Sequence, residues 1–211
     1  MNGKRNNRNW ILITISVFLI LFGIAIIGGK YVYQYLVIQE NKDKITEYFD
    51  NPIVETKEVL IIEDDNKEIK VSEPINQEKY IAILEIPKID LKRGVYAKNS
   101  KLNNVNKNIY LLNESDMPDK VNGNFILAGH SGTAYISFFK NLPKLSINDI
   151  AFVYYSGSRY SYKLVNKYEI DKTGKANIIR NSEKNTMTLI TCKNGTEKQL
   201  LFIFELLEGG E

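Results

Sequence analysis

The chain has 211 residues, a quarter of them charged, and a formal net charge of +3 at neutral pH. Lys4, Arg5 and Arg8 account for that charge, which leaves 25 basic and 25 acidic residues in the remainder. A neutral remainder has no basic excess to neutralise phosphates, so a nucleic-acid partner is disfavoured. One cysteine and one histidine exclude an intramolecular disulfide and a Cys/His metal cluster of the usual spacing, and no cofactor is expected.

Residues 10–29 predict a membrane-spanning helix. The segment from Trp10 to Gly29 carries no charge and is mainly Ile, Leu, Val and Phe, and as a helix it spans about 30 Å, the thickness of a bilayer core. The basic segment 1–9 places the N-terminus in the cytoplasm and the rest of the chain outside. A cleaved signal peptide would usually have a shorter apolar region followed by a small-x-small site, so an uncleaved single-pass anchor is favoured.

Residues 30–79 predict an extracellular stalk. A helix is expected to continue to about Tyr48, but no long amphipathic period follows it. The acidic cluster from Glu63 to Glu68 lacks the alternating ligands of a calcium loop. About 50 residues of this composition supply too little apolar surface for an independent domain.

Residues 80–207 predict a mainly β domain, and 208–211 a short tail. Runs of β-branched and aromatic residues alternate with turn residues, and Tyr154–Ser158 and Asn194–Gly195 suit hairpin turns. A short helical or turn segment is expected over Phe138–Leu145. Strands are expected near 81–86, 91–96, 109–112, 124–129, 150–155, 161–170, 188–192 and 200–207. Many short strands with one or two short helices indicate a single β-barrel.

His130 and Cys192 each end a strand-like segment, Asn124–Gly129 in the first case and Thr188–Thr191 in the second. The thiolate is the reactive form of cysteine, and a nearby imidazole can raise the thiolate fraction or carry the proton. A lone cysteine is often an inert buried hydrophobe, so a structural role for the two residues remains the alternative.

These segments resemble the sortases of Gram-positive bacteria. The resemblance rests on Leu127–His130, Thr188–Cys192, Ile86–Ile89 and Phe138–Asp149, and it covers about residues 80–207. It implies a closed eight-stranded β-barrel behind an N-terminal anchor, and a cysteine transpeptidase. Such enzymes cleave a Leu-Pro-x-Thr-Gly-like sorting signal near the C-terminus of a secreted protein. They join the new carboxyl end to an amine of a peptidoglycan precursor or of a pilin.

By that resemblance, Cys192 is the nucleophile that forms an acyl-thioester, and His130 is the proton donor and acceptor. The family has an arginine on the strand after the cysteine, and here the aligned residue is Gln199, with Lys198 as the alternative. A neutral amide in place of a guanidinium puts the level of activity in doubt more than the fold.

The resemblance also implies positions that contact the sorting signal. The candidate substrate-binding residues are Ala128, Ser131, Thr188, Ile190 and Thr191. Plain barrel core is the alternative for Ile190, and a turn cap is the alternative for Ser131. Because no second apolar span precedes Glu211, a wall-anchoring type is expected rather than a pilin-polymerising one.

Two other functions stay open. An L,D-transpeptidase-like cell-wall enzyme would also be extracellular and would also use Cys and His. That family carries a Ser-x-Gly-Cys-x-Arg type segment, which Lys193 and Asn194 after Cys192 do not match. The other alternative is an inactive or weakly active, sortase-like binding module tethered to the membrane.

Overall fold

A computed structural model of the chain describes residues 3–51 and 78–209. Most of the predicted stalk, its acidic cluster and the end of the predicted tail lie outside these residues. The chain forms two compact units, residues 1–42 and residues 43–211.

The first unit is helical and belongs to α1 (Gly3–Asp50), which is long and apolar enough to cross a membrane by length and composition. Its large apolar side chains are exposed, with Phe18 at 66% and Ile20 at 62% of full accessibility. The hydroxyls of Thr14 and Ser16 donate to carbonyls one turn earlier, so these polar groups are satisfied within the helix. An apolar exterior with internally satisfied polar groups suits lipid as the solvent.

The second unit contains an eight-stranded, nearly closed barrel, which confirms the predicted architecture. The strands are β1 (Tyr80–Ile86), β2 (Leu91–Tyr96), β3 (Tyr110–Leu111), β4 (Asn124–Ala128), β5 (Ile150–Tyr155), β6 (Ser158–Asp171), β7 (Thr186–Cys192) and β8 (Lys198–Gly209). Their order in the sheet is β2-β1-β5-β6-β8-β7-β4-β3. All the pairs are antiparallel except β4 with β7, which is parallel.

The connections follow from local turn chemistry. Ser156 and Gly157 both have positive φ, 50° and 77°, as a two-residue hairpin turn between β5 and β6 requires. The predicted helical or turn segment 138–145 consists of turns and one short 3-10 helix at Leu142–Lys144. The strand expected at 109–112 is reduced to the two residues of β3, and β8 extends to Gly209.

The barrel buries apolar side chains on both faces of β4, β7 and β8. Successive residues of a strand alternate between the faces, so the main core takes Phe125, Leu127, Leu189, Phe202 and Phe204. The opposite face carries a second apolar group, here called the outer cluster. It consists of Ile126, Ile190 and Leu201, with partly buried Leu112, Ala128, Tyr168, Ile170 and Ile178 packed against them. Each fully buried side chain of this size stabilises the fold by about 1.5–3 kcal/mol.

The last turns of α1 belong to the second unit. Tyr48 is 5% exposed and packs with Tyr80, Ile83 and Tyr96 on the outside of β1 and β2. Lys44 donates a hydrogen bond of 2.9 Å to the Tyr96 hydroxyl. The second compact unit therefore includes residues before the first strand of the barrel.

Candidate active site

His130 lies just beyond the end of β4. The preceding Gly129 approaches the ring of Phe139 so closely that a Cβ at this position would lie 2.9 Å from it. The Phe139 amide donates a 2.9 Å hydrogen bond to the His130 carbonyl. A glycine is needed here for the close approach, and the Phe139 amide then fixes the backbone of His130 at the strand end.

Cys192 is the last residue of β7, and β7 pairs in parallel with β4, the strand that precedes His130. Ala128 is opposite Ile190, and the Gly129 amide donates to the Ile190 carbonyl at 3.1 Å. His130 and Cys192 each follow these paired residues by two positions: Cys192 is still within β7, on the face of Ile190, and His130 lies beyond the last residue of β4. Two residues 62 positions apart in the sequence are therefore carried at the same end of two adjacent strands.

Gln199 lies directly opposite Cys192 in the β7–β8 ladder and opposite Ile170 in the β6–β8 ladder. The Lys193 amide donates to the Lys198 carbonyl at 2.9 Å, so the next pair, Cys192 with Gln199, is a non-hydrogen-bonded pair. In such a pair the side chains share one face and come close together. Gln199 is half-buried on the face that Cys192 occupies.

Lys198 has the opposite orientation. Its ammonium lies 3.8 Å from a carboxylate oxygen of Glu169, whose backbone is paired with Leu200 on the core side of the sheet. Lys193 donates to the other oxygen of the same carboxylate at 2.5 Å. That hydrogen bond, together with the two ammonium charges, holds the pKa of Glu169 below its usual range. The register thus separates Gln199, beside the thiol, from Lys198, on the other face.

Asn106 contacts His130 and was not among the predicted residues. Its Oδ1 lies 3.2 Å from Nε2 of the imidazole. With that oxygen as the acceptor, the proton of a neutral imidazole is on Nε2, and Nδ1 is the atom that accepts a proton. Asn106 belongs to an asparagine-rich connection between β2 and β3, and no periodicity in that segment indicates a partner.

The predicted substrate-binding residues fall into two groups. Ala128 and Ile190 belong to the outer cluster beside Cys192. Thr188 and Thr191 are buried, and their hydroxyls donate to Asn124 Oδ1 at 3.0 Å and to the Gly129 carbonyl at 2.7 Å.

Ser131, the remaining predicted substrate-binding residue, is 4% exposed. Its hydroxyl lies 2.5 Å from the Cys192 carbonyl and 2.8 Å from Asn194 Oδ1. This hydroxyl is therefore hydrogen-bonded within the protein. It belongs to the residue that follows His130 and contacts the backbone of Cys192.

Tyr168 holds the β6–β7 loop (residues 172–185) over the outer cluster. Its hydroxyl accepts a 2.7 Å hydrogen bond from the Ile179 amide and donates to the Asn177 carbonyl at 3.1 Å. Between these two residues, Ile178 packs against the outer cluster. The loop therefore forms one wall of an apolar surface that leads to Cys192.

A cavity of about 420 Å³ borders the cysteine. Its lining includes Ser131, Pro143, Lys167, Glu169, Lys193 and Phe202. Cys192 itself, together with Tyr168 and Leu201 of the outer cluster, also lines this cavity. Within the described part of the chain, no three His, Cys, Asp or Glu side chains are grouped to hold a metal ion.

Comparisons with known proteins agree with this geometry. The Sortase domain family model matches residues 84–204. Similar solved structures include a Clostridium perfringens sortase transpeptidase of class D (26% identity, TM-score 0.55), over 64% of this chain and 84% of that one. Listeria monocytogenes sortase A (23%, 0.53) matches over 62% and 88%. A class C sortase of Streptococcus agalactiae (21%, 0.55) matches over 63% and 71%.

A comparison with curated proteins finds no significant match. The family model covers more than half of the chain, and the matched region contains every strand from β2 to β7, the end of β1 and most of β8. The chain belongs to the sortase family.

Proposed function

We propose that this protein is a cysteine transpeptidase that uses Cys192 as its nucleophile and His130 as its proton carrier. The observation that carries the proposal is the parallel register of β4 and β7, which aligns the two residues at neighbouring strand ends. Cys192 is half-buried, so its thiol is partly accessible, as a reactive cysteine must be.

The reaction follows from these two groups. The Cys192 thiolate adds to the scissile carbonyl carbon of the sorting signal. The C–N bond then breaks, the departing amine takes a proton from the His130 imidazolium, and an acyl-thioester remains on Sγ. An acceptor amine attacks the thioester carbonyl and gives a proton to the imidazole, and the thiolate leaves. One imidazole serves both halves because each half moves a single proton in the opposite direction.

The substrate class follows from the outer cluster and from the family. We infer that an extended peptide with apolar side chains lies along the partly exposed side of the outer cluster, at Ala128, Tyr168 and Ile178. We infer that it carries a Leu-Pro-x-Thr-Gly-like motif near the C-terminus of a secreted protein. The acceptor is an amine of a peptidoglycan precursor or a similar amine.

The decisive experiment is capture of the acyl-enzyme. Full-length protein in detergent is incubated with a panel of sorting peptides, and the mass of the intact protein is measured. Wild type should gain the mass of the acyl fragment, and Cys192→Ala should gain none. His130→Ala should accumulate the adduct at least about 10²-fold more slowly. A wild-type protein that binds peptide but never gains mass would instead be the tethered binding module, and equal turnover by Cys192→Ala would overturn the enzyme proposal.

We also propose that residues 10–29 of α1 anchor the protein in the cell membrane with the barrel outside the cell. The support is the length and apolar exterior of the helix and the basic residues before it. Residues 43–50 pack on β1 and β2, so removal of residues 1–42 should release a folded, soluble protein. Removal of residues 1–79 would expose Tyr80 and Tyr96 and should lower the melting temperature relative to the shorter deletion. A product of the shorter deletion that still sediments with membranes would contradict the anchor.

A further inference from the structure

Two polar residues connect the backbone segments that carry His130 and Cys192. Ser131 follows the histidine, and Asn194 comes two residues after the cysteine. The Ser131 hydroxyl lies 2.5 Å from the Cys192 carbonyl and 2.8 Å from Asn194 Oδ1. The Asn194 amide group in turn donates to the Ser131 carbonyl at 2.9 Å. These contacts, here called the clamp, join segments that are more than 60 residues apart.

The clamp lies where the sheet no longer holds the two strands together. The paired residues of β4 and β7 end at Ala128 and Ile190, and the Gly129 amide makes the next backbone bond. His130 and Cys192 come after that point. Beyond the ladder, side-chain hydrogen bonds tie the segments, namely those of the clamp and the bond from Thr191 to the Gly129 carbonyl. The separation of imidazole and thiol therefore depends on side chains that are not part of the sheet.

We propose that Ser131 and Asn194 are positioning residues that set the distance between the His130 imidazole and the Cys192 thiol, an inference that rests on the proposed function. Proton transfer requires the two heavy atoms to lie within about 2.6–3.2 Å or to share one water. A displacement of about 1 Å at such a site can cost about 10² in rate. Ser131 is nearly fully buried, and its hydroxyl is engaged by two partners within the protein.

The chemistry of the clamp predicts which substitutions break it. A hydroxyl has one proton, and here two acceptors, the Cys192 carbonyl and Asn194 Oδ1, share it. Ser131→Ala removes the donor to both acceptors. Asn194→Asp keeps an acceptor for the hydroxyl but replaces the amide donor with an oxygen that faces the Ser131 carbonyl. Asn194→Ala removes both the acceptor of the Ser131 hydroxyl and the donor to the Ser131 carbonyl. Because Asn194 is exposed, this substitution is the least expected to unfold the protein.

The test compares these variants in the full-length protein in detergent, with Thr196→Ala as the matched control. Thr196 lies in the same β7–β8 turn and donates to the Lys193 carbonyl at 2.9 Å, a bond that stays within the turn. For peptide turnover, Ser131→Ala and Asn194→Ala should lower kcat by roughly 10- to 100-fold with KM unchanged, and Thr196→Ala should match wild type. Ser131→Thr, which keeps the hydroxyl, should recover most of kcat. The double variant should be slower than either single one, because Ser131→Ala leaves the Asn194 bond to the Ser131 carbonyl and Asn194→Ala leaves the Ser131 bond to the Cys192 carbonyl.

A second readout separates the clamp from the proposed reaction. Cys192 is the only cysteine, so its alkylation by iodoacetamide between about pH 5 and pH 9 reports thiolate formation without any peptide. Ser131→Ala and Asn194→Ala should change this pH profile in the same direction as His130→Ala does, and Thr196→Ala should not change it. If no sorting peptide acylates the wild type, the proposed function fails. The alkylation profiles then still show whether Ser131 and Asn194 position the thiol relative to the imidazole.

Three results would overturn the clamp. The first is an alkylation profile that is the same in wild type and His130→Ala, because the thiol and imidazole would then be uncoupled. The second is a raised KM with unchanged kcat in Ser131→Ala, because the residue would then contact substrate. The third is Asn194→Ala with wild-type kcat and a wild-type alkylation profile. If the Ser131→Ala protein shows no cooperative thermal transition, Asn194→Ala decides, because it removes two of the three hydrogen bonds of the clamp.

Discussion

Replacement of Gln199 by alanine measures how much the residue opposite Cys192 stabilises the acylation step. The two residues form a non-hydrogen-bonded cross-strand pair, so their Cβ atoms lie about 4.5–5.5 Å apart on one face. From there the Gln199 amide reaches the carbonyl oxygen of an acyl group on Sγ. Loss of one amide donor to an oxyanion lowers kcat by about 10²–10³ in a water-excluded site. Gln199 is half-buried, and water weakens such bonds, so we expect a loss of about 10- to 100-fold.

Two further variants distinguish the donor from its neighbour. Gln199→Arg places a charged, forked donor at the position where the family has arginine, and acylation should be retained or raised. Lys198→Ala removes an ammonium that faces Glu169 on the other side of the sheet. An exposed ion pair of this kind contributes little to stability, so acylation should stay within a few-fold of wild type.

The assay is the rate of acyl-enzyme formation, measured by intact mass on one sorting peptide, with Cys192→Ala as the blank. Thermal unfolding of each variant shows whether the barrel is preserved. Wild-type rates in Gln199→Ala would remove Gln199 from the site. If Lys198→Ala is then slow, the neighbouring ammonium supplies the charge and the register inferred for β8 does not hold in the acylating enzyme.

Three other outcomes are expected. Asn106→Ala removes the acceptor at His130 Nε2 and should lower kcat about tenfold with KM unchanged, which peptide kinetics would show. Tyr168→Phe removes the hydroxyl that holds the β6–β7 loop, so amide exchange in the loop and KM should both rise, by a few-fold for KM. The Lys193 ammonium lowers the pKa of Glu169, so the stability from this pair is present at neutral pH and is lost as the pH falls through that lowered pKa. The difference in melting temperature between wild type and Glu169→Gln should therefore shrink below about pH 4.

The strands could be predicted from the sequence because their side chains obey simple local rules. β4 and β7 are runs of apolar and β-branched residues that end at glycine or at a polar turn, and both lie where the composition places them. The β5–β6 hairpin followed from Ser156 and Gly157, which tolerate the positive φ that the turn needs. In each case the relevant information lies within a few residues of the element itself.

The pairing of β4 with β7 could not be predicted in the same way. The residues of β4 and β7 do not by themselves indicate that the two strands are parallel neighbours, or that Ala128 lies opposite Ile190. That register decides whether His130 and Cys192 share a face, since a shift of one residue would turn one of them to the other side of the sheet. The juxtaposition of the two residues came from the family resemblance, and the register of the barrel gives its physical basis.

Asn106 and Asn194 were missed, and the predicted role of Ser131 took no account of its buried hydrogen bonds, for a related reason. Polar residues in turns have no periodicity, and their partners lie far away in the sequence, so local patterns carry no sign of them. His130 lies beyond the last pair of the β4–β7 ladder, whereas Cys192 is the last residue of β7 and is still paired with Gln199 of β8. Beyond the last β4–β7 pair, single hydrogen bonds between polar side chains and backbone replace the repeated bonds of the sheet. The geometry of the site therefore depends most on the residues that a strand pattern describes least.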